Sequence, residues 1–320
     1  MSFPKDMLWG LLTPVVALLI PLTIGAFLIY YERRLLAVWQ DRYGPNRVGP
    51  FGLMQVLADA VKMFFKEDWL PPFSDKKVFI LAPAIIIATI LLSFALVPWS
   101  ENFVVFDSSI GLLLFFALSS FGTYSLALAG WSSNNKYALI GAMRSTGQMI
   151  AYEIFMGLSL MGVVAQAGSF SLVDIVKSQA SCWNIFPQFI GFVVFFIAAL
   201  AETHRLPFDL PEAESELIAG FHAEYSGLKF GMFFVGEYMG VTLMSAMMAL
   251  LFFGGWHGPL LPGIMWFLIK TFALISVFIL MRATLPRPRI DQLISFGWRY
   301  LFPLSLGNLL VTACIIVARG

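Results

Sequence analysis

Eight apolar runs divide the chain, near residues 8–31, 78–98, 110–130, 149–168, 186–202, 231–254, 262–282 and 300–318. A helix needs roughly 20 consecutive apolar residues to cross a bilayer. The pattern therefore predicts an all-α polytopic membrane protein with about eight transmembrane helices, folded as a single membrane domain over residues 1–320. Pro14, Pro21 and Pro83 fall inside these runs, where neighbouring helices satisfy the backbone that a proline frees. No internal repeat and no low-complexity tract interrupts the pattern. Polar sequence is concentrated in loops 32–77, 131–148, 203–230 and 283–299.

Two of these loops carry further predicted elements. In Phe51 to Lys66, apolar Leu53, Val56, Leu57, Ala60, Val61, Phe64 and Phe65 recur at helical spacing, with Asp59, Lys62 and Lys66 largely opposite. That is an amphipathic helix at the membrane interface or beneath the bundle. The preceding Gly44-Pro45-Asn46 is a turn signal. In the loop after the fifth run, Asp209 and Glu212 have capping-box spacing and Pro211 suits a first helical turn. A short helix is expected there from Leu210 to about Gly220.

Composition changes the picture only by confirming the solvent. The chain has 320 residues, of which 59% are hydrophobic and 12% charged, against about 25% charged in a soluble domain. No cleavable signal peptide is evident near Met1 to Leu8. Cys182 and Cys314 form no motif and are read as apolar packing residues. The net charge of +1 is uninformative; its distribution is not. The odd-numbered loops, with the flanking Arg282, hold 16 Lys or Arg, whereas the even loops and tails hold only Lys5, Lys177 and Arg319. The positive-inside rule then puts the odd loops on the cytoplasmic face or its equivalent, and both termini on the other side.

The candidate chemistry lies mostly in that inner layer. Six of the 19 acids, Glu202, Asp209, Glu212, Glu214, Glu216 and Glu224, fall between positions 202 and 224. Crowded carboxylates disfavour one another's ionisation, which suits a proton-handling site. Helix-dipole complementation by first-turn acids accounts for Asp209, Glu212 and Glu214, but not for the others. Glu153 and Glu237 lie about one and two turns inside their runs, and Lys270 lies deeper still. Ionisable groups at such depth usually face a partner or a wet cavity; the alternative is a structural Glu–Lys pair. The basic stretch Arg282 to Arg289 reads first as an inner-face anchor, and otherwise as a clamp on acidic neighbours or lipid head groups. There is no phosphate loop, no Cys cluster for an iron–sulfur centre, no paired His for haem, no metal-ligand set and no hydrolytic triad. No catalytic residue is assigned. A solitary transporter would suit the buried charges but lacks a repeat, and a plain anchor leaves the acidic loop unexplained.

Three regions carry a resemblance. Glu32-Arg33-Arg34, Arg42-Tyr43-Gly44-Pro45-Asn46-Arg47-Val48-Gly49 and Lys66-Glu67-Asp68 resemble the first-loop signature of one membrane subunit of proton-pumping NADH:quinone oxidoreductase, respiratory complex I, the family of mitochondrial subunit one. Pro207 to Glu216 with Glu224-Tyr225 resembles that family's second signature, and Gly141-Ala142-Met143-Arg144 with Tyr152-Glu153 its third loop. His204 stands where Asn is more usual. The resemblance implies a translocase subunit that forms part of a quinone chamber and couples quinone reduction to proton translocation. It implies that Glu32, Arg33, Arg34 and Asp59 border the chamber. A proton path would then use Glu153, Glu202, Asp209, Glu212, Glu214, Glu216, Glu224 and Glu237. Quinone would be substrate, with FMN and iron–sulfur clusters on partner subunits. Further implied partners are the peripheral iron–sulfur subunits, small and antiporter-like membrane subunits and lipids, with no nucleic acid. The implied location is the bacterial cell inner membrane, multi-pass, with the mitochondrial inner membrane as the alternative.

Overall fold

A computed structural model describes residues 5–101, 103–211 and 214–319. Among the described residues the chain is helical, without a strand. In order it runs α1 (Lys5–Trp39), α2 (Gln55–Phe65), α3 (Lys76–Ala95), α4 (Gly111–Ser132), α5 (Lys136–Ala167), α6 (Leu172–Ser178), α7 (Phe189–Glu202), α8 (Glu214–Leu217), α9 (Gly227–Phe252), α10 (Gly263–Thr284), α11 (Ile290–Phe296) and α12 (Phe302–Arg319). Every expected apolar run lies largely on a helix. Among the described residues, six helical stretches are long and apolar enough to cross a membrane: α3, α4, α5, α9, α10 and the continuous stretch Ile290–Ala318. The run at 8–31 lies on the 35-residue α1.

α9 is the hub. It is apolar on all sides, as a helix surrounded by protein must be, and its C-terminal half from Val241 to Phe252 is wholly buried. α1, α3 and α10 pack along it. α4, α5 and α7 form a second group, closed by α12. The core joining the groups is aromatic, with Phe195 against Phe252 and Phe196 against Phe278 at centroid distances of 5.7 and 5.4 Å.

Three expectations are corrected. Hydropathy starts the fourth span at 149, but α5 begins at Lys136, with Asn135 as its N-cap accepting from the Tyr137 amide at 2.9 Å. Arg144, Ser145 and Gln148 interrupt the hydropathy without interrupting the helix. Their side chains bond instead to the loop after α7, so the third loop shrinks to a tight turn. Second, α7 has only 14 residues, about 21 Å of helix against a ~30 Å hydrocarbon layer. The chain leaves the helix while still inside the bundle, which is tolerated where irregular backbone is covered by protein or lines a cavity. Third, the short helix of the acidic loop is α8, Glu214–Leu217, not 210–220. Asp209 lies before it, its carboxylate paired with Arg287 at 3.3 Å.

The amphipathic helix after α1 is α2, close to its expected place. Leu57, Phe64 and Phe65 are 60%, 69% and 86% exposed, so much of its apolar face stays uncovered by the described residues. The α5 N-terminal half meets a 3-10 turn at Gly220–His222. A Cβ on Gly141 would sit 2.8 Å from Gly220 Cα, so only glycine permits that approach.

Candidate functional site

The early end of α7 creates the site. Thr203, His204 and Arg205 continue from it into the bundle, where the C-terminal ends of α1 and α10 meet the N-terminal part of α9. Arg205 is the centre. Its Nη1 lies 3.2 Å from Glu32 Oε2 and its Nε 2.9 Å from Glu237 Oε1. Its guanidinium lies over the Tyr238 ring, 4.2 Å from the centroid. Arg282, at the end of α10, bonds the other oxygen of Glu32. The result is a quartet of two carboxylates and two guanidiniums from α1, α9, α10 and the loop after α7. Glu32 is 3% and Arg205 7% exposed. Burial disfavours the Arg205 charge, but Glu237 and Glu32 more than offset it and hold the guanidinium ionised. Arg205 Nη2 has no acceptor among the described residues.

A cavity of about 460 Å³ opens on this quartet, lined by Glu32, Arg33, Tyr43, Arg205, Asp209 and Glu237 among others. A second cavity of about 290 Å³ lies between α3, α4 and α9. His204, Phe234, Glu237 and Arg282 line both. Two more carboxylates are held by adjacent serines of α4, Glu202 in the wall of the second cavity and Glu153 behind it. Ser119 donates to Glu202 at 2.7 Å, and Ser120 donates to Glu153 at 2.5 Å. Glu237, Glu202 and Glu153 thus follow one another from the first cavity towards α5.

The remaining expected site residues divide. Arg33 lines the larger cavity and pairs with Asp59 at 2.9 Å. Asp59 also accepts from Gln55 at 2.9 Å and reaches the cavity only through Arg33. Arg34 turns away, donating to the Phe51 carbonyl at 3.0 Å and bracing the glycine–proline turn. Asp209 lines the cavity, tied to Arg287. Glu224 accepts from Asn135 at 2.7 Å. Glu216 pairs with Arg144 at 2.6 Å on the surface. Arg144, by hydrogen bond and by charge, holds the Glu216 carboxyl below the usual carboxylate range. Crowding therefore does not govern Glu216, where arginine decides instead of neighbouring acids. Glu212 and the side chain of Glu214 lie outside the described residues.

Three groups matter more than their place in the sequence suggests. Arg282 reads as an inner-face anchor, yet it and Arg287 bind acids of this same chain. Its placement at the end of a long apolar run is the available signal. His204 reads as a lone histidine. It separates the two cavities and bonds Ser145 at 2.7 Å, and burial pushes it down to about 4, so the imidazole is neutral at pH 7. Ser119 and Ser120 give no signal at all.

Lys270 faces no carboxylate among the described residues. Its ammonium donates to the carbonyls of Phe253, Gly255 and His257 at 2.7, 3.0 and 2.7 Å. The Trp183 ring lies 4.7 Å away. The expected Glu–Lys pair is not formed, because Lys270 points to the other end of α9.

No group of three or more His, Cys, Asp or Glu among the described residues is arranged to hold a metal. A family model described as NADH dehydrogenase matches residues 12–313, nearly the whole chain.

Proposed function

The chain belongs to the NADH dehydrogenase family, that of subunit one of respiratory complex I, and is a multi-pass membrane subunit that associates with the other subunits of that complex. We propose that, within this complex, the chain forms part of the quinone chamber and couples quinone reduction to proton translocation. The observation that carries the reading is that Glu237 lines both cavities. One face of it meets the charged chamber, and the other leads to Glu202 and Glu153.

Reduction of a quinone to a quinol takes up two electrons and two protons. The electrons would come from iron–sulfur clusters of partner subunits, since this sequence offers no ligand set for one. What this chain supplies is charge and position. Arg205 and the Tyr43 ring stand at the cavity wall. Negative charge developing on the ring is stabilised by fixed donors in a site shielded from water. The quartet is balanced, with two negative and two positive groups. A charge arriving beside it favours proton uptake by Glu237, the more weakly paired carboxylate, because Glu32 is held by both arginines. Such carboxylates titrate as a set, so the change passes to Glu202 and Glu153 through the second cavity. The acidic loop, through Asp209 and Glu224, borders that route on the inner face. Arg33 and Asp59 stand at the approach from α2, whose uncovered apolar face suits a lipid-soluble substrate. The bacterial inner membrane, inner face towards the cytoplasm, is the setting we assign.

The test is Glu237→Gln in the purified, fully assembled complex, reconstituted in liposomes. The amide keeps the shape and one acceptor for Arg205 but removes the titrating group. NADH:quinone turnover and proton pumping should both fall by about tenfold or more, with artificial-acceptor NADH oxidation intact. Parent-like turnover and pumping would reject the coupling role.

A further inference from the structure

Arg299 differs from the arginines described above. Arg33, Arg144, Arg205, Arg282, Arg287 and Arg289 each reach a carboxylate of this chain. Arg299 is exposed and makes no ion pair or hydrogen bond among the described residues. It sits where α11 runs into α12 through a π turn, Gly297–Leu301. Such turns often mark functional sites. Gly297 and Leu301 are buried, while Trp298 and Tyr300, to either side of Arg299, are exposed. A Cβ on Gly297 would collide with the Phe155 ring, so glycine lets the turn lie against α5. Both exposed rings are held in place. Trp298 stands edge-on to Phe155 at a centroid distance of 5.4 Å, and Tyr300 lies against Phe296 at 5.6 Å.

Depth adds a second observation. The continuous stretch Ile290–Ala318 has 29 residues, about 44 Å of helix against a ~30 Å hydrocarbon layer. About 20 residues cross that layer, and counted back from Ala318 they end at Arg299. The guanidinium thus stands at the boundary of the layer, on the side of the basic loop Arg282 to Arg289. From there Tyr300, Leu304, Gly307 and Val311 follow one another along a single face of the helix. Leu304 and Val311 are exposed, and a Cβ on Gly307 would meet no atom within 4 Å. The missing side chain between them leaves a shallow apolar furrow running from Arg299 into the layer.

We propose that the π turn and the start of α12 bind one anionic phospholipid from the leaflet on the side of the basic loops. Its phosphate meets Arg299 between the two rings, and an acyl chain lies along the furrow. Arg299 has no anion of its own chain to meet among the described residues. Trp and Tyr belong at head-group level, and a basic residue there attracts anionic lipid. The inference rests on the chain being a membrane subunit and not on the quinone reading.

The probes are phosphatidylglycerol and phosphatidylcholine carrying the same photoactivatable acyl chain. Each is added to the assembled complex in nanodiscs of otherwise neutral lipid at low salt. After illumination, label on residues 300–319 is measured by mass spectrometry. Phosphatidylglycerol should label them about fivefold more than phosphatidylcholine, and salt at about 1 M should erase most of the difference. Arg299→Gln should bring the ratio to about one, and Arg299→Lys, which keeps the charge, should retain most of it. The comparison in the parent needs no variant, so it decides even if Arg299→Gln fails to assemble. Equal labelling by the two lipids in the parent overturns the proposal, as does a preference that survives Arg299→Gln. So does the absence of label from both lipids, which would mean that a helix of another subunit covers this face.

Discussion

Two buried cations pack against the same helix, one beside its middle and one at its C-terminal end, and their surroundings could hardly differ more. Beside the middle of α9, Arg205 is held by carboxylates of Glu32 and Glu237 at an open cavity. At the C-terminal end, Lys270 is held by three carbonyls and aromatic faces. The C-terminal end has its hydrogen bonds filled. Gln179 donates to Leu250 O at 2.7 Å, Asn184 to Leu251 O at 2.9 Å, the Ile185 amide to Phe252 O at 3.0 Å, and Lys270 to Phe253 O. A buried helix terminus must find such donors, and a cation there also meets the negative end of the helix dipole. Carbonyls do not titrate, so the charge around Lys270 is fixed. Around Arg205 it changes with each proton gained or lost. A buried cation is a structural cap in one place and a responsive site in the other, according to its acceptors.

The contrast breaks most visibly at Arg205. Arg205→Met leaves Glu237 without its cation and Glu32 with Arg282 alone. Removing one partner of a buried pair costs about 3–5 kcal/mol. The subunit should be depleted from the complex on native gels. Adding Glu237→Gln to it should restore much of the assembly, because the stranded carboxylate is gone. Failure of the double variant to improve on the single would show that packing over Tyr238, not charge pairing, is what Arg205 supplies.

Lys270→Met tests the other half. The thioether chain fills the stem's space but leaves three carbonyls without their donor, at about 1–3 kcal/mol. The thermal midpoint of the complex should fall while turnover per assembled complex stays at the parent value. A loss of turnover at full assembly would give Lys270 a functional part that its carbonyl partners do not explain.

These two sites also show what is legible in sequence. Span positions are readable because apolar runs are set by the bilayer, and α2 because its period is strict. Depth and partners are not readable. Lys270 looks like half of a Glu–Lys pair, since spacing cannot say which end of a neighbouring helix a side chain faces. Glu32, Arg33 and Glu237 stand out on sequence, and the structure brings Glu32 and Glu237 onto one guanidinium. Arg282 is misjudged because its partner, Glu32, lies 250 positions away. Arg144, Ser145 and Gln148 seem to mark a loop, because hydropathy reports polarity and not helicity. The π turn that exposes Arg299 is a packing fact, with no trace in a single chain's pattern.

A smaller effect separates the two sites by pH. Burial pushes both His204 and His222 down to about 4, against an ordinary value of 6.5. Between pH 6.5 and 4 the unfolded chain binds protons that these imidazoles refuse in the fold. Their contribution is therefore complete above pH 6.5 and lost as pH falls towards 4. Thermal stability should decline across that window, and His204→Asn should flatten the slope by roughly half, His222 carrying the other part. Lys270→Met should leave the slope unchanged, because a lysine ammonium is already protonated in folded and unfolded chain across that window. An unchanged slope in His204→Asn would mean that His204 is protonated in the fold.

Arg33→Ala perturbs the margin of the inner site without entering the quartet. Its pair with Asp59 is half-exposed, with side chains 47% and 27% accessible, so stability should change by less than about 1 kcal/mol. If the chamber reading holds, the KM for quinone should rise severalfold while kcat changes little, because Arg33 stands at the approach and not at the centre. An unaltered KM would remove Arg33 and Asp59 from the chamber.

The least effect is expected at Glu216, where the contrast reaches its limit. It belongs to the acidic loop, yet its partner Arg144 lies on α5 at the surface, and its side chain is 55% exposed. Exposed pairs are worth little, so Glu216→Gln should assemble and melt like the parent. Its part in coupling is the sharper question. Arg144 holds the carboxyl below its ordinary value, so it stays ionised as pH falls through the usual carboxylate range, and any stability it lends is present at neutral pH and lost only in acid. A group kept charged near neutral pH does not cycle protons during turnover. Glu216→Gln should therefore pump as the parent does, in contrast to Glu237→Gln. Arg144→Gln would release Glu216 towards the ordinary range without removing it. If Glu216→Gln alone lowers the ratio of protons pumped to NADH oxidised, then the route runs through the exposed loop, and the chain from Glu237 to Glu202 and Glu153 is not sufficient to describe it.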